Sequence, residues 1–234
     1  MDETHPYLME VGEKGLHMLR VGMDTSWSYG CETSMAVDFC LWALEMDGLR
    51  VAPFDQHADG DAALRHAGLT AQAWQAWFEA VVAFQGSASR LERVDPPLGS
   101  GAGDPAGATP PVAWPDALVC ISKSAELWAG APAVGALLAQ WWERYVALAN
   151  GRRARASAFL GAFAHREGRR ALWQDLAPYR ARLPSLKAYL VAYPARVLHP
   201  IPPASFVVAL GAEEPSFEEF HASILRAAEV LAAS

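Results

Sequence analysis

Apolar positions at helical spacing organise most of this chain. Between Glu32 and Met46 the residues Met35, Val37, Phe39, Cys40, Leu41, Trp42, Leu44 and Met46 surround nearly the whole circumference of a helix. Such a helix is buried between other elements, and Gly48 is placed to end it. Trp74, Trp77, Phe78, Val81 and Val82 follow the i, i+3, i+4, i+7, i+8 pattern of a helix capped by Thr70. The helix at 32–46 is the natural partner for that stripe. A short helix over Asp61–Ala67, closed by Gly68, is expected between them.

Pro132 opens another helix, with Val134, Leu137, Leu138, Trp141, Trp142, Tyr145 and Leu148 on its apolar face and Gly151 at its end. Arg153–Arg166 and Ala171–Leu183 also follow a helical pattern, the latter interrupted by Pro178. Glu213–Ala232 is an amphipathic closing helix, with Ser216 and Glu219 at capping-box spacing.

Strand-like runs lie at the two ends. Tyr7–Val11 and Leu16–Val21 flank a Gly-bounded turn, Leu186–Val197 and Phe206–Leu210 are separated by prolines, and Asp116–Ser122 is extended in character. The expected fold is α+β and helix-dominated. A small antiparallel sheet from the N- and C-terminal strands would pack with about six helices. Residues 86–115, dense in Gly and Pro, read as a flexible excursion within a single domain over 1–234. They could also divide it into 1–86 and 115–234.

Composition places the chain among globular proteins: 52% hydrophobic and 19% charged over 234 residues. An acidic, polar start, three cysteines without a CxxC, and no apolar run of the roughly 18–20 residues a membrane span needs point to a cytoplasmic protein that does not enter membranes. The net charge of -7 is unevenly spread, being -11 over 1–142, +7 over 143–187 and -3 over 188–234. The basic block either contacts phosphates and acidic partners or neutralises the acidic half from within. Overall acidity favours the internal role and disfavours nucleic acid.

Three constellations could carry chemistry. In the loop after Pro53, Asp55, His57 and Asp59 alternate, with Gly60, Asp61 and later His66. The carboxylate spacing partly matches a calcium loop, but His57 and His66 fall where oxygen ligands belong. Imidazole and carboxylate together suit Zn²⁺, Mn²⁺ or Fe²⁺, and a divalent metal there would make a hydrolase. The plainer reading is a polar turn in which Asp59 or Asp61 caps the next helix.

Cys31 stands at the expected start of the buried helix, where free N–H groups would lower a thiol pKa. The run Gly30-Cys31 … Phe39 … Leu44 … Gly48-Leu49-Arg50-Val51 resembles the nucleophile helix of papain-like and transglutaminase-like cysteine enzymes over about 20 residues. That resemblance implies a cysteine hydrolase with a histidine from a later strand, and His199 alone lies near one.

The third is the arginine cluster Arg152, Arg153, Arg155, Arg166, Arg169 and Arg170, with Arg180 and Arg182, a candidate phosphate or nucleic-acid patch. No Ser-hydrolase, P-loop or dinucleotide motif is present. The leading expectation is a non-catalytic binding protein. Its Trp74/Trp77 or Trp141/Trp142 faces would meet a protein partner or a second copy of the chain.

Overall fold

The computed structural model describes residues 19–21, 27–55, 60–91, 128–165 and 168–234. They form a helix-dominated α+β fold, as the periodicities predict. In chain order the elements are β1 (Leu19–Val21), β2 (Tyr29–Glu32), α1 (Met35–Asp47), α2 (Ala63–His66), α3 (Ala71–Leu91), α4 (Pro132–His165), α5 (Gly168–Asp175), β3 (Leu186–Val191), β4 (Arg196–Ile201), β5 (Ser205–Leu210) and α6 (Phe217–Ala233). A single 3₁₀ turn, Ala177–Tyr179, follows α5 and contains Pro178.

The strands join in the order β1-β2-β3-β5-β4. The sheet is mixed rather than antiparallel. β2 pairs parallel with β3, and β3 parallel with β5, while β1 and β4 run antiparallel at the two edges. The reason is visible in the side chains. Leu186, Ala188 and Leu190 of β3, with Phe206, Val208 and Leu210 of β5, enter one core; Tyr189, Val191, Val207 and Ala209 enter another. Strands covered on both faces are apolar at consecutive positions, the mark of a parallel centre flanked by helices. Pro200, which lacks a backbone donor, sits in edge strand β4, where the ladder tolerates it.

One face of the sheet carries α1, α3 and the N-terminal half of α4; the other carries α6, α5 and the C-terminal half of α4. The helix α4 is continuous through Gly151 for 34 residues, about 50 Å at 1.5 Å per residue. Its inward stripe keeps one phase from end to end: Leu138, Trp142, Tyr145 and Ala149 in the first core, then Ala156, Phe159, Leu160 and Phe163 in the second. A glycine in a helix costs only about 1 kcal/mol. Two cores anchored on one stripe exceed that cost.

The N-terminus of α1 is capped by Ser34, whose Oγ accepts from Val37 N, and its C-terminus by Gly48 at φ 69°. Thr70 Oγ1 accepts from Ala73 N at the start of α3. The capping box of Ser216 and Glu219 is fully formed. The hairpin expected over 7–22 and the strand over 116–122 lie outside the described residues, apart from Leu19–Val21, which pairs with Tyr29–Cys31. Of the stretch 86–115, residues 86–91 continue α3 and the rest lies outside the described residues. No helix among the described residues is long and apolar enough to cross a membrane.

The acidic-loop region is locked onto the end of α1. Asp61 N and Ala62 N donate to the carbonyls of Met46 and Asp47. Asp47 returns the favour: its buried carboxylate accepts from Leu64 N at 2.7 Å, Arg65 N at 3.2 Å and Arg65 Nε at 3.0 Å, capping α2. Gly60 is where the two segments touch. A Cβ there would lie 2.0 Å from the Asp47 carbonyl carbon and from Gly48 N. Asp47→Ala, which takes the acceptor from the Leu64 and Arg65 amides while Arg65 Nη2 keeps the Asp47 carbonyl, is expected to cost about 2 kcal/mol, and Gly60→Ala to destabilise through backbone displacement. Urea unfolding measures both; losses under about 0.5 kcal/mol, the range of neutral surface substitutions, would contradict this account of the junction.

Candidate functional site

Of the metal-loop candidates, Asp55, Asp61 and His66 are described, while His57 and Asp59 lie outside the described residues. Asp55, Asp61 and His66 are exposed. Asp61 Oδ1 accepts from Ala63 N at 3.1 Å, so this carboxylate caps the turn entering α2. His66 is the last residue of α2. Among the described residues no group of three or more His, Cys, Asp or Glu side chains is gathered as a metal would need.

Cys31 is not at a helix N-terminus. It lies in β2, fully buried, with α1 beginning four residues later. Burial pushes its thiol up to about 12; a hydrogen bond with Tyr29 pulls the other way and the Glu32 charge adds to the rise. A nucleophilic cysteine needs the opposite shift. The strand histidine does not come to it either. His199 contacts the Phe54 and Phe78 rings on the α3 face, whereas Cys31 points into the opposite core, and β3 and β5 stand between their strands. Three strand spacings are about 14 Å. Burial lowers the His199 pKa, with Glu79 acting against it, which favours the neutral ring.

The arginine cluster is divided rather than pooled. Arg152 and Arg153 occupy the inward stripe of α4 between the two cores. Arg152 Nε lies 3.1 Å from Asp38 Oδ2, and Nη1 3.0 Å from Glu45 Oε2. The buried Tyr145 hydroxyl donates to Asp38 at 2.8 Å. Burial disfavours the Arg152 charge, but hydrogen bonds and charges from Glu45 and Asp38 outweigh it and raise its pKa. Burial, then Asp38, likewise raises Tyr145. Arg153 Nη2 donates to Thr33 Oγ1 at 3.1 Å, and Arg155 pairs with Glu214. Arg152 and Arg153 thus hold α4 to α1 and to the residue after β2, instead of forming an outward phosphate cradle. The side chains of Arg166, Arg169 and Arg170 lie outside those described.

The aromatic faces are interior as well. Trp74, Trp77, Trp141 and Trp142 are 1%, 0%, 3% and 7% exposed. Phe39 of α1 meets Trp77 at 5.9 Å and Trp142 at 5.0 Å, both edge to face. These surfaces are spent within the chain and are not contact faces for a partner.

A concavity that the sequence did not signal lies on the other side of the sheet. Ala158, Phe159 and Ala162 of α4 and Glu214, Pro215, Ser216 and Phe217 at the entry of α6 line an open groove of about 540 Å³. Phe159 and Phe217 lie 5.5 Å apart at its floor, with Phe163 5.7 Å from Phe217. Ala158 and Ala162 are exposed, so the α4 wall is low. Two small residues one turn apart beside an aromatic were the available sequence signal. No family model matches this chain, and no curated protein or solved structure is significantly similar to it.

Two outcomes follow from this geometry. Cys31 and Cys40, both buried, should resist iodoacetamide at pH 7–8 and label only as denaturant opens the fold; rapid labelling of Cys31 in the native protein would restore it as a nucleophile. Arg152→Ala strands a buried carboxylate and should lower stability by about 3 kcal/mol or more, whereas an outward phosphate-binding arginine would lose less than about 0.5 kcal/mol.

Proposed function

We propose that this chain is a non-catalytic binding protein whose contact site is the groove between α4 and the entry of α6. The groove itself carries the reading. It is an open concavity with an apolar aromatic floor and walls low enough to admit a side chain. Supporting it, the carboxylates most deeply placed in the fold are consumed by structural pairs: Asp38 and Glu45 with Arg152, Asp47 with Arg65, and Glu32 with Lys187 at 2.8 Å. None of these pairs adjoins the groove.

The rim specifies the partner's chemistry. Glu213, Glu214, Glu218 and Glu219 are all exposed around the start of α6, against Arg155 and Arg196, which pair with Glu214 and Glu219. The balance is acidic. The occupant that fits is a protein segment offering one large apolar side chain flanked by Lys or Arg, the apolar group seated on Phe159 and Phe217 and the cation at the acidic rim.

Panning a displayed peptide library against the intact chain tests this. Enriched peptides are expected to combine an aromatic or Leu anchor with neighbouring basic residues. Ala162→Arg, which fills the groove from an exposed position and weakens its negative charge, should weaken them at least ~10-fold, equivalent to about 1.4 kcal/mol, with an unchanged melting temperature. Peptides of no common chemistry, or equal binding to Ala162→Arg, would remove the groove as the site.

A further inference from the structure

The described cations nearly all meet a carboxylate or stand exposed in water. Arg65, Arg152, Arg155, Lys187 and Arg196 are paired, and Arg50, Arg144, Arg182 and Arg226 are exposed. Two follow neither pattern: Arg153, half-buried, gives its Nη2 to Thr33, and Arg180 is the other. It is half-buried just after the 3₁₀ turn, and among the described residues no carboxylate lies in ion-pair range of it.

Its guanidinium is held by aromatic rings instead. The Arg180 Cζ lies 3.6 Å from the centroid of the Trp173 indole and 5.7 Å from that of Trp27, and the two indoles are 5.5 Å apart. Nη2 donates to the Trp173 carbonyl. Nε is buried and has no acceptor. Asp175, five residues before Arg180, is engaged by His221 Nε2 at 3.1 Å.

Burying a charge without a counter-ion is costly, and a cation–π contact returns only about 0.5–2 kcal/mol of that cost. The stack also fixes the plane of the guanidinium. Its flat face is spent on indole, Nε is buried and one Nη2 hydrogen goes to the Trp173 carbonyl, which leaves Nη1 and the second Nη2 hydrogen, the end of the fork that can meet a two-oxygen anion. Desolvation accordingly lowers the Arg180 pKa with no neighbouring acid to offset it.

We propose that Arg180, held flat against Trp173 beside Trp27, is the receiving group of a binding site for a small oxyanion ligand, a carboxylate or a phosphate. The ligand supplies the counter-charge that none of the described residues provides and accepts from Nη1 and the remaining Nη2 hydrogen. This site shares no residue with the α4–α6 groove, and either can fail without the other.

The test titrates the full chain with sodium phosphate and, separately, with sodium acetate, holding ionic strength constant with sodium chloride and reading indole fluorescence and heat. A saturable response in one arm is expected. Saturation by phosphate assigns a phosphate ligand, and saturation by acetate a carboxylate. Arg180→Gln should weaken it at least ~10-fold, and Arg180→Lys, which keeps the charge but loses the fork, should fall between that variant and the wild type. Arg182→Gln, altered at an exposed neighbour, should bind as wild type. If Arg180→Gln does not fold, the Lys variant decides by the same comparison. No saturation by either anion, a matching response to chloride alone, or equal affinity in the Arg180 variants overturns the proposal.

Discussion

Helix α1 has almost no solvent face, and the surrounding structure answers that constraint. Every residue from Met35 to Leu44 is buried, as is Asp47. Burial of apolar surface on all sides requires neighbours on all sides, which α3, α4, α2 and the sheet supply. It also requires that each polar group inside find a partner. Asp38 is met by Tyr145 and Arg152 from α4, Asp47 by the α2 backbone and Arg65, and the Cys40 carbonyl by the Trp74 indole N–H. These polar contacts tie the helix to three of its neighbours.

The same constraint explains where the chemistry went. Residue types that suggest catalysis in a sequence, such as carboxylates near histidines, a cysteine near a helix and a row of arginines, are here largely devoted to ending helices and joining them. Asp61 caps a turn, Arg152 pairs with two carboxylates, and Cys31 is a small buried side chain on an inner strand. The two proposed sites lie on the opposite face of the sheet, around α6 and α5, where an aromatic groove and a stacked arginine stand apart from these pairs.

Local signals were the legible ones. Ser216 with Glu219, Thr70, Gly48 and the Trp74–Val82 stripe each mark an element from contacts within one turn, so the sequence carries them directly. Non-local features were harder. The parallel centre of the sheet was encoded in the unbroken apolar run Phe206–Leu210, but pairing partners 18 residues or more apart leave no mark within either strand. Breaking the long helix at Gly151 hid the most useful clue. Carried through, the stripe Tyr145, Ala149, Arg152, Ala156 puts an arginine on the inward side, and an acid opposite it becomes a requirement. The groove joins elements distant in sequence, and the Arg180 stack brings Trp27 to Trp173 from far along the chain, so neither is marked by a local motif.

The unbroken course of α4 also has a mechanical meaning. One rod forms a wall of both cores, with Trp142 in the first and Phe163 in the second. Neither core can lose its packing against α4 without withdrawing a wall from the other. A load applied at the Ala158–Ala162 end is passed along the helix axis to the tryptophan layer beneath α1. The fold thus joins its outer groove and its deepest core through a single strut.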